Sequence, residues 1–373
     1  MQKILYFDYI ASTPICVEAK EALVKTLDMF ANPSSTHRLG QKSRVVIETA
    51  RNDIAEMLQC VPDNLIFTSG ATEAINLGVI SVCKKFGIQH IITSPLEHAA
   101  MLRTTEQTAL QNNISLLHVK HNHIGQIDLN DLEQLLSAHS HALVCLMHAN
   151  NEIGNLLPIK EVGKLCHKYQ ALFFCDMVQT VGKYPMSLSD LPVDFAVCSA
   201  HKFYGSKGCG LLYHKHNMAP LLLGGHQERN LRAGTENVGA IAAMSVALNM
   251  ALKNYETEKQ RIENLKNDCI NLLKEKIPNI CFVGNCVSGG LYNLINCYIP
   301  DVDTDVVFMQ LDMAGIAIST GSACSSGTTT TSHVIQALGV PQKSMRISFG
   351  IPTQQQEIAY LIAQLEKIAK KNA

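Results

Sequence analysis

"DFAVCSAHKFYGSKGCG", residues 194–210, starts with an acid and four apolar positions and then turns polar at Ser199. An apolar run this short, with no polar position inside it, reads as a strand buried on both faces. Lys202 follows at its end, and lysines are rarely buried. Glycines at 205, 208 and 210 give the chain room to turn behind it.

The same pattern recurs on either side. "LIFT" (65–68), "HIIT" (90–93), "ISLLHV" (114–119), "ALVCLM" (142–147), "ALFFC" (171–175) and "GLLY" (210–213) are strand-length apolar runs, and helical stretches separate most of them. This alternation predicts an α/β fold built on a mostly parallel sheet covered by helices. "TPICVEAKEALVKTLDMF" (13–30) reads as a helix, with Thr13 as N-cap, Pro14 at the first helical position and Val17, Val24 and Leu27 on one face. "SRVVIETARNDIAEML" (43–58) reads as another. After a long helical region, about 238–276, the pattern changes. Strands near 279–283 and 290–298, a helix near 303–314, "SMRISFG" (344–350) and a last helix predict a smaller α+β C-terminal domain.

Composition narrows the function classes. Of 373 residues, 47% are hydrophobic, and the net charge is -1, so no nucleic-acid or anionic-membrane surface is expected. The apolar runs are far below the roughly 18 residues of a membrane span. Residues 1–13 show no targeting pattern. A cytoplasmic protein is expected. The thirteen cysteines lack disulfide-framework or zinc spacing and read mostly as buried reduced thiols, so no metal site is expected. Cys324 differs, because "STGSACSSGTTTTS" gives it no apolar neighbours.

In open parallel sheets, ligands bind beyond the carboxyl ends of the strands. Four runs here end in reactive residues: "LIFT" at Ser69–Thr72, "ALVCLM" at His148–Glu152, "ALFFC" at Asp176, and "DFAVC" at Ser199–Lys202. Ser69–Thr72 is either a plain helix cap or an anion seat, where Gly70 turns the backbone and a helix N-terminus offers N–H groups. Asp176 is either a strand-end cap or a counterion for a cofactor's ring nitrogen. A lysine and an acid so placed suggest pyridoxal phosphate, with a phosphate cradle at Gly70–Thr72, Ser199 and His201.

"FTSGATEAINL", "EHAA", "MHANNEIG", "CDMVQTVGK", "SAHKFYGSKGCG", "GGHQERNLRAGTENV", "STGSACSSG" and "MRISFG" together resemble, in order, the motifs of cysteine desulfurases of the NifS/IscS type. These are class V aminotransferases of the pyridoxal phosphate fold type I. The resemblance spans nearly the whole chain. It implies Lys202 as the Schiff-base lysine, Asp176 as partner of the pyridine nitrogen and Gln179 at the ring hydroxyl. It implies His98 stacked on the ring and active in proton transfer. Ala71, Thr72, Ser199 and His201 would hold the phosphate, with Thr235 reaching in from the partner of a homodimer. Asn151 would contact cofactor and substrate, and Arg346 would clamp the substrate carboxylate bidentately. Cys324 would accept sulfur from L-cysteine as a thiolate, leaving L-alanine. The persulfide would pass to an acceptor such as an iron–sulfur scaffold or a tRNA-thiolation protein.

The organisation expected is a large cofactor domain over 14–255, with 1–13 and 256–373 forming the small domain that carries the Cys324 loop and Arg346. Tyr9, Ile10, Met177 and Ser206 depart from the family pattern. A selenocysteine lyase of the same fold, or an interaction protein that kept the fold without turnover, are the competing readings. Intact Lys202, Asp176, Arg346 and Cys324 speak against the second.

Overall fold

A computed structural model describes residues 4–320 and 331–372. Its strands are β1 (Leu5–Tyr6), β2 (Leu65–Thr68), β3 (His90–Thr93), β4 (Ser115–His118), β5 (Ala142–Met147), β6 (Leu172–Asp176), β7 (Phe195–Ser199), β8 (Gly210–His214), β9 (Cys281–Phe282), β10 (Leu294–Tyr298), β11 (Ile316–Ala317), β12 (Ser319–Thr320) and β13 (Met345–Ser348). Its α-helices are α1 (Val17–Thr26), α2 (Arg38–Met57), α3 (Ala71–Phe86), α4 (Ala99–Asn112), α5 (Leu129–Ala138), α6 (Ile159–Lys168), α7 (Val238–Lys253), α8 (Tyr255–Lys276), α9 (Thr304–Met313), α10 (His333–Ala337) and α11 (Gln355–Asn372).

Among the described residues, the apolar runs form one sheet in the order β2-β8-β7-β6-β5-β3-β4. All its strands are parallel except β8, which runs against β2 and β7. Successive side chains alternate between two cores. Phe173, Cys175, Ala196 and Cys198 face a core shared with α2, α5, α6 and α7. Phe174, Phe195 and Val197 face α3 and α4. Both faces are dry, which explains why these strands read as unbroken apolar runs.

The antiparallel sheet β12-β13-β10-β9 packs on α8, α9 and α11 around a separate core. The segment before residue 14 ties the two sheets together. β1 pairs with β11, Asp8 bridges to Ser348, and Thr13 N donates to His201 O at 2.9 Å.

One expectation needs correction. The first helix starts at Val17 behind Cys16, not behind Thr13. Thr13 is otherwise engaged: its hydroxyl donates to His201 O and accepts from Tyr204 N, binding it to the turn around Lys202. The Val17, Val24 and Leu27 face is also open to solvent, as is Phe30 just beyond it at 84% exposure.

Residues 228–230 hold an unusual conformation. Glu228, Arg229 and Asn230 have φ of 42°, 58° and 63°, a left-handed run without glycine. The buried Glu228 carboxylate fixes it, accepting both Arg51 Nη atoms at 2.8 and 2.9 Å and the Phe67 N–H at 2.8 Å.

Candidate active site

The parallel strands bring their polar ends to one edge. Thr68 and Ser199 both stand opposite Gly210 in register, so the ends of β2 and β7 meet the start of β8. Gly210 is required there, since an added Cβ would lie 2.6 Å from Gly70 Cα and 3.0 Å from Ala71 N. That close approach sets the first turn of α3 beside Ser199. Gly70 caps the helix through its backbone, with no side-chain cap. A Cβ on Gly70 would meet only Ser199 Oγ, at 3.9 Å. Free N–H groups of the helix start and a hydroxyl therefore border open space, which suits a phosphate. Ala71 and Thr72 open this turn, with Thr72 exposed.

His201 Nδ1 lies 3.2 Å from Ser12 Oγ. Burial, helped by Lys202, Lys207 and Lys183, pulls its pKa down to about 4, so the ring is neutral near pH 7.

Asp176 ends β6, fully buried, and its Oδ1 accepts from Val178 N at 3.0 Å. Burial pushes its carboxyl upward, and the charges of His98 and Lys202 oppose that push. A carboxyl buried this way stays charged only beside a cationic or hydrogen-bond-donating partner. His98 caps α4, its Nδ1 accepting from Ala100 N at 3.1 Å, which leaves Nε2 as the protonated nitrogen of the neutral ring.

Lys202 is half-buried. Its Nζ donates to the carbonyls of Ile10 and Ala11, both at 2.9 Å. Gln179 Nε2 donates to the same Ile10 carbonyl at 3.2 Å. The departures at Tyr9 and Ile10 thus leave these backbone contacts in place. Tyr9 packs on Gly350, Ile10 is buried with Ala149 and Leu294, and Met177 joins the large core.

Arg346 on β13 is 1% exposed. Nη1 donates to Asn151 O at 2.9 Å; Nη2 donates to Asp8 Oδ1 at 3.0 Å and Ser319 Oγ at 2.8 Å. Asn151 enters through its carbonyl. Thr235 is brought to a different place, an exposed groove with Ser206, Lys207, Leu27 and Phe30. Cys324 lies outside the described residues.

Asp8 and Lys183, which the sequence reading passed over, take part, as does Glu152 from the polar end of the β5 run. Asp8 pairs with Arg346. Glu152 is buried, accepts from Ser332 Oγ at 2.6 Å, and is pushed upward by burial against the pull of Arg346, His333 and His98. Lys183 is buried and donates to Gln179 Oε1 at 2.7 Å. The signal for Lys183 was its place four residues after Gln179 in "CDMVQTVGK".

The donor set fits pyridoxal phosphate: an amine, a buried acid, an imidazole and a helix start with hydroxyls. Among the described residues, no cluster of His, Cys, Asp and Glu could hold a metal, and no helix is long and apolar enough to cross a membrane.

The chain is similar to known proteins over nearly its whole length. The class-V aminotransferase model matches residues 5–361. A cysteine desulfurase IscS of Dictyoglomus turgidum is 38% identical over 100% of this chain and 96% of its own length. A solved NifS-like protein superposes with a TM-score of 0.91 at 31% identity, covering 99% of this chain and 100% of its own. SspA, solved in complex with cysteine, gives a TM-score of 0.80 at 28% identity over 92% of this chain and 98% of its own. The chain belongs to the class-V aminotransferase family, among its cysteine desulfurases.

Proposed function

We propose that this protein takes sulfur from L-cysteine with pyridoxal 5'-phosphate as cofactor, releases L-alanine and carries the sulfur as a persulfide on Cys324. The observation that carries the reading is the meeting of Lys202, Asp176 and the open first turn of α3 at one sheet edge.

Lys202 would anchor the cofactor covalently, and its Nζ, when free, would take the substrate α-proton. Asp176 holds the proton on the ring nitrogen, which reverses the upward push of burial on its own carboxyl. Bound there, the cofactor supplies the sink for the electron pair left at the substrate Cα. Gln179 would bind the cofactor's ring oxygen, and His98 would handle protons beside the ring. Ala71, Thr72, Ser199 and neutral His201 hold the phosphate by donated hydrogen bonds. Arg346 and Asn151 orient the substrate carboxylate. The Cys324 thiolate bonds to the substrate sulfur as the C–S bond breaks. The electrons of that bond stay with carbon, which is protonated to alanine, so sulfur is oxidised as carbon is reduced.

A homodimer is part of the reading. The groove holding Thr235 is walled by Leu27 and Phe30, both largely exposed, and a second copy would cover them. Thr235 then serves the partner's phosphate. The large domain spans 14–255, and the small domain carries Cys324 and Arg346. A cytoplasmic location suits the free, buried thiols such as Cys166 and Cys297. The persulfide passes to an acceptor protein, an iron–sulfur scaffold or a tRNA-thiolation protein.

The test is a visible spectrum of the purified protein with L-cysteine. A cofactor band that vanishes in Lys202→Ala, with alanine and sulfide formed under reductant, is expected. Sulfide release at the wild-type rate by Cys324→Ser would remove the persulfide assignment. Absence of any cofactor would favour an interaction protein.

A further inference from the structure

Lys183 is a buried cation with no role in the chemistry above, 6% exposed and hydrogen-bonded to Gln179 Oε1 at 2.7 Å. Gln179 in turn donates from Nε2 to Ile10 O at 3.2 Å, and Lys202 Nζ donates to that same oxygen at 2.9 Å. One relay therefore links the two lysines through a single amide and a single carbonyl. The backbone brings them together deliberately close. Gly182, at φ 74°, packs where a Cβ would lie 2.4 Å from Phe203 Cβ, so the turn before Lys183 rests directly on the residue after Lys202.

Both lysines line one cavity. The charges that lower the Lys183 amine are those of Lys202 and Arg346, both positive; the His201 ring also faces both lysines, and Asp176 faces Lys202. The other titratable groups on that cavity are Tyr9, Tyr204, Tyr255, Tyr292 and Glu258. Asn293 Oδ1, on the same wall, is buried without a hydrogen-bond partner. Burial and the two neighbouring cations draw the Lys183 amine down to about 7.

An amide can face either way, and its two ends have opposite polarity. The protonated amine, which can only donate, settles the choice, because the flipped amide would set two donors against each other. While Lys183 is protonated, below about pH 7, its charge also disfavours protonation of Lys202, as a cationic neighbour lowers a lysine's proton affinity.

We propose that Lys183 is a positioning residue of this site, which fixes the Gln179 amide with its N–H side toward the cofactor's ring oxygen and disfavours a proton on the Lys202 nitrogen. The inference rests on Lys202 being the cofactor lysine. Its substance is regulatory in a narrow sense: Lys183 sets the pH at which the cofactor-linked nitrogen of Lys202 gives up its proton.

The experiment is a pH titration of the visible band of the holoenzyme in wild type, Lys183→Met and Lys183→Arg. The Met variant should titrate about one pH unit higher, and the Arg variant, charged throughout, should titrate no higher than wild type. A Met variant that melts at lower temperature but titrates with wild type would mean a packing role only, and the proposal would fall. If the Met variant does not fold, Lys183→Gln keeps a donor for Gln179 without the charge. Its midpoint should still rise, and an unmoved midpoint overturns the proposal. A wild type with no Lys202-dependent band would instead bring down the cofactor reading and this inference with it.

Discussion

Arg346 Nη2 donates to Asp8 Oδ1 at 3.0 Å, tying β13 to the segment whose carbonyls hold Lys202. Ser319 Oγ closes the triangle, donating to Asp8 Oδ1 at 2.6 Å. The guanidinium is buried and Asp8 is 17% exposed at its side chain. Asp8→Ala removes the carboxylate that lies 3.0 Å from this buried cation. Breaking a buried pair on one side costs about 3–5 kcal/mol, and the partial exposure of Asp8 places this variant near the lower end. Urea melts of wild type and variant measure it; equal midpoints would mean that Arg346 is satisfied without Asp8.

Gly210→Ala attacks the phosphate seat from beneath. Its methyl would lie 2.6 Å from Gly70 Cα, against backbone that cannot rotate aside. Overpacking of this kind costs about 1–3 kcal/mol. Because the displaced atoms begin α3, cofactor affinity should drop about tenfold or more. Titrating the apoprotein with pyridoxal phosphate gives the number.

Glu228→Gln tests the left-handed run at 228–230. The carboxylate meets three donors there, two from Arg51 and one from Phe67. An amide can accept through only one of its two ends. A loss of about 3–5 kcal/mol is expected. The double variant Arg51→Met with Glu228→Leu should recover part of it, since no buried charge is then stranded. Chemical denaturation of the three proteins decides the matter.

The stability of the cofactor-free protein should depend on pH through Lys183. Its amine titrates near 10.5 when unfolded and about 7 when folded. Between those values the unfolded chain binds a proton that the native chain does not, so stability rises with pH. The slope is at most about 1.4 kcal/mol per pH unit. Below about 7 both states are protonated and the full cost of burying the charge is present. Lys183→Met removes the group and should flatten the dependence. Urea midpoints at neutral and alkaline pH compare the two slopes.

Much of the sheet was legible because burial on both faces leaves no polar residue inside a strand, as in β5 and β7. The strand-end positions of Asp176 and Ser199 followed from that. The direction of β8 did not, since an apolar run reads the same in either sense. The start of α1 was misread because Thr13 caps nothing and instead binds the turn around Lys202, where His201 is a partner 188 residues away. The exposed face of Val17, Val24 and Leu27 has the spacing of a core face, and spacing cannot say which apolar face stays uncovered in one chain. Lys183 looked like any lysine after a glycine. Only tertiary packing of Gly182 on Phe203 makes it interior.

The segment from Leu5 to Thr13 gives the site its order of assembly. Its partners are His201, Lys202, Ile316, Ala317, Arg346 and Ser348. On the ribosome this stretch emerges hundreds of residues before the last of them. The large sheet can form while it waits, but the carbonyls that seat Lys202 and the acid that seats Arg346 are fixed only after β13 has been made. Long-range closures of this kind are slow. Cofactor capture should therefore be a late event in the life of each new chain, and a nascent chain stalled before β13 would hold a folded sheet without a finished site.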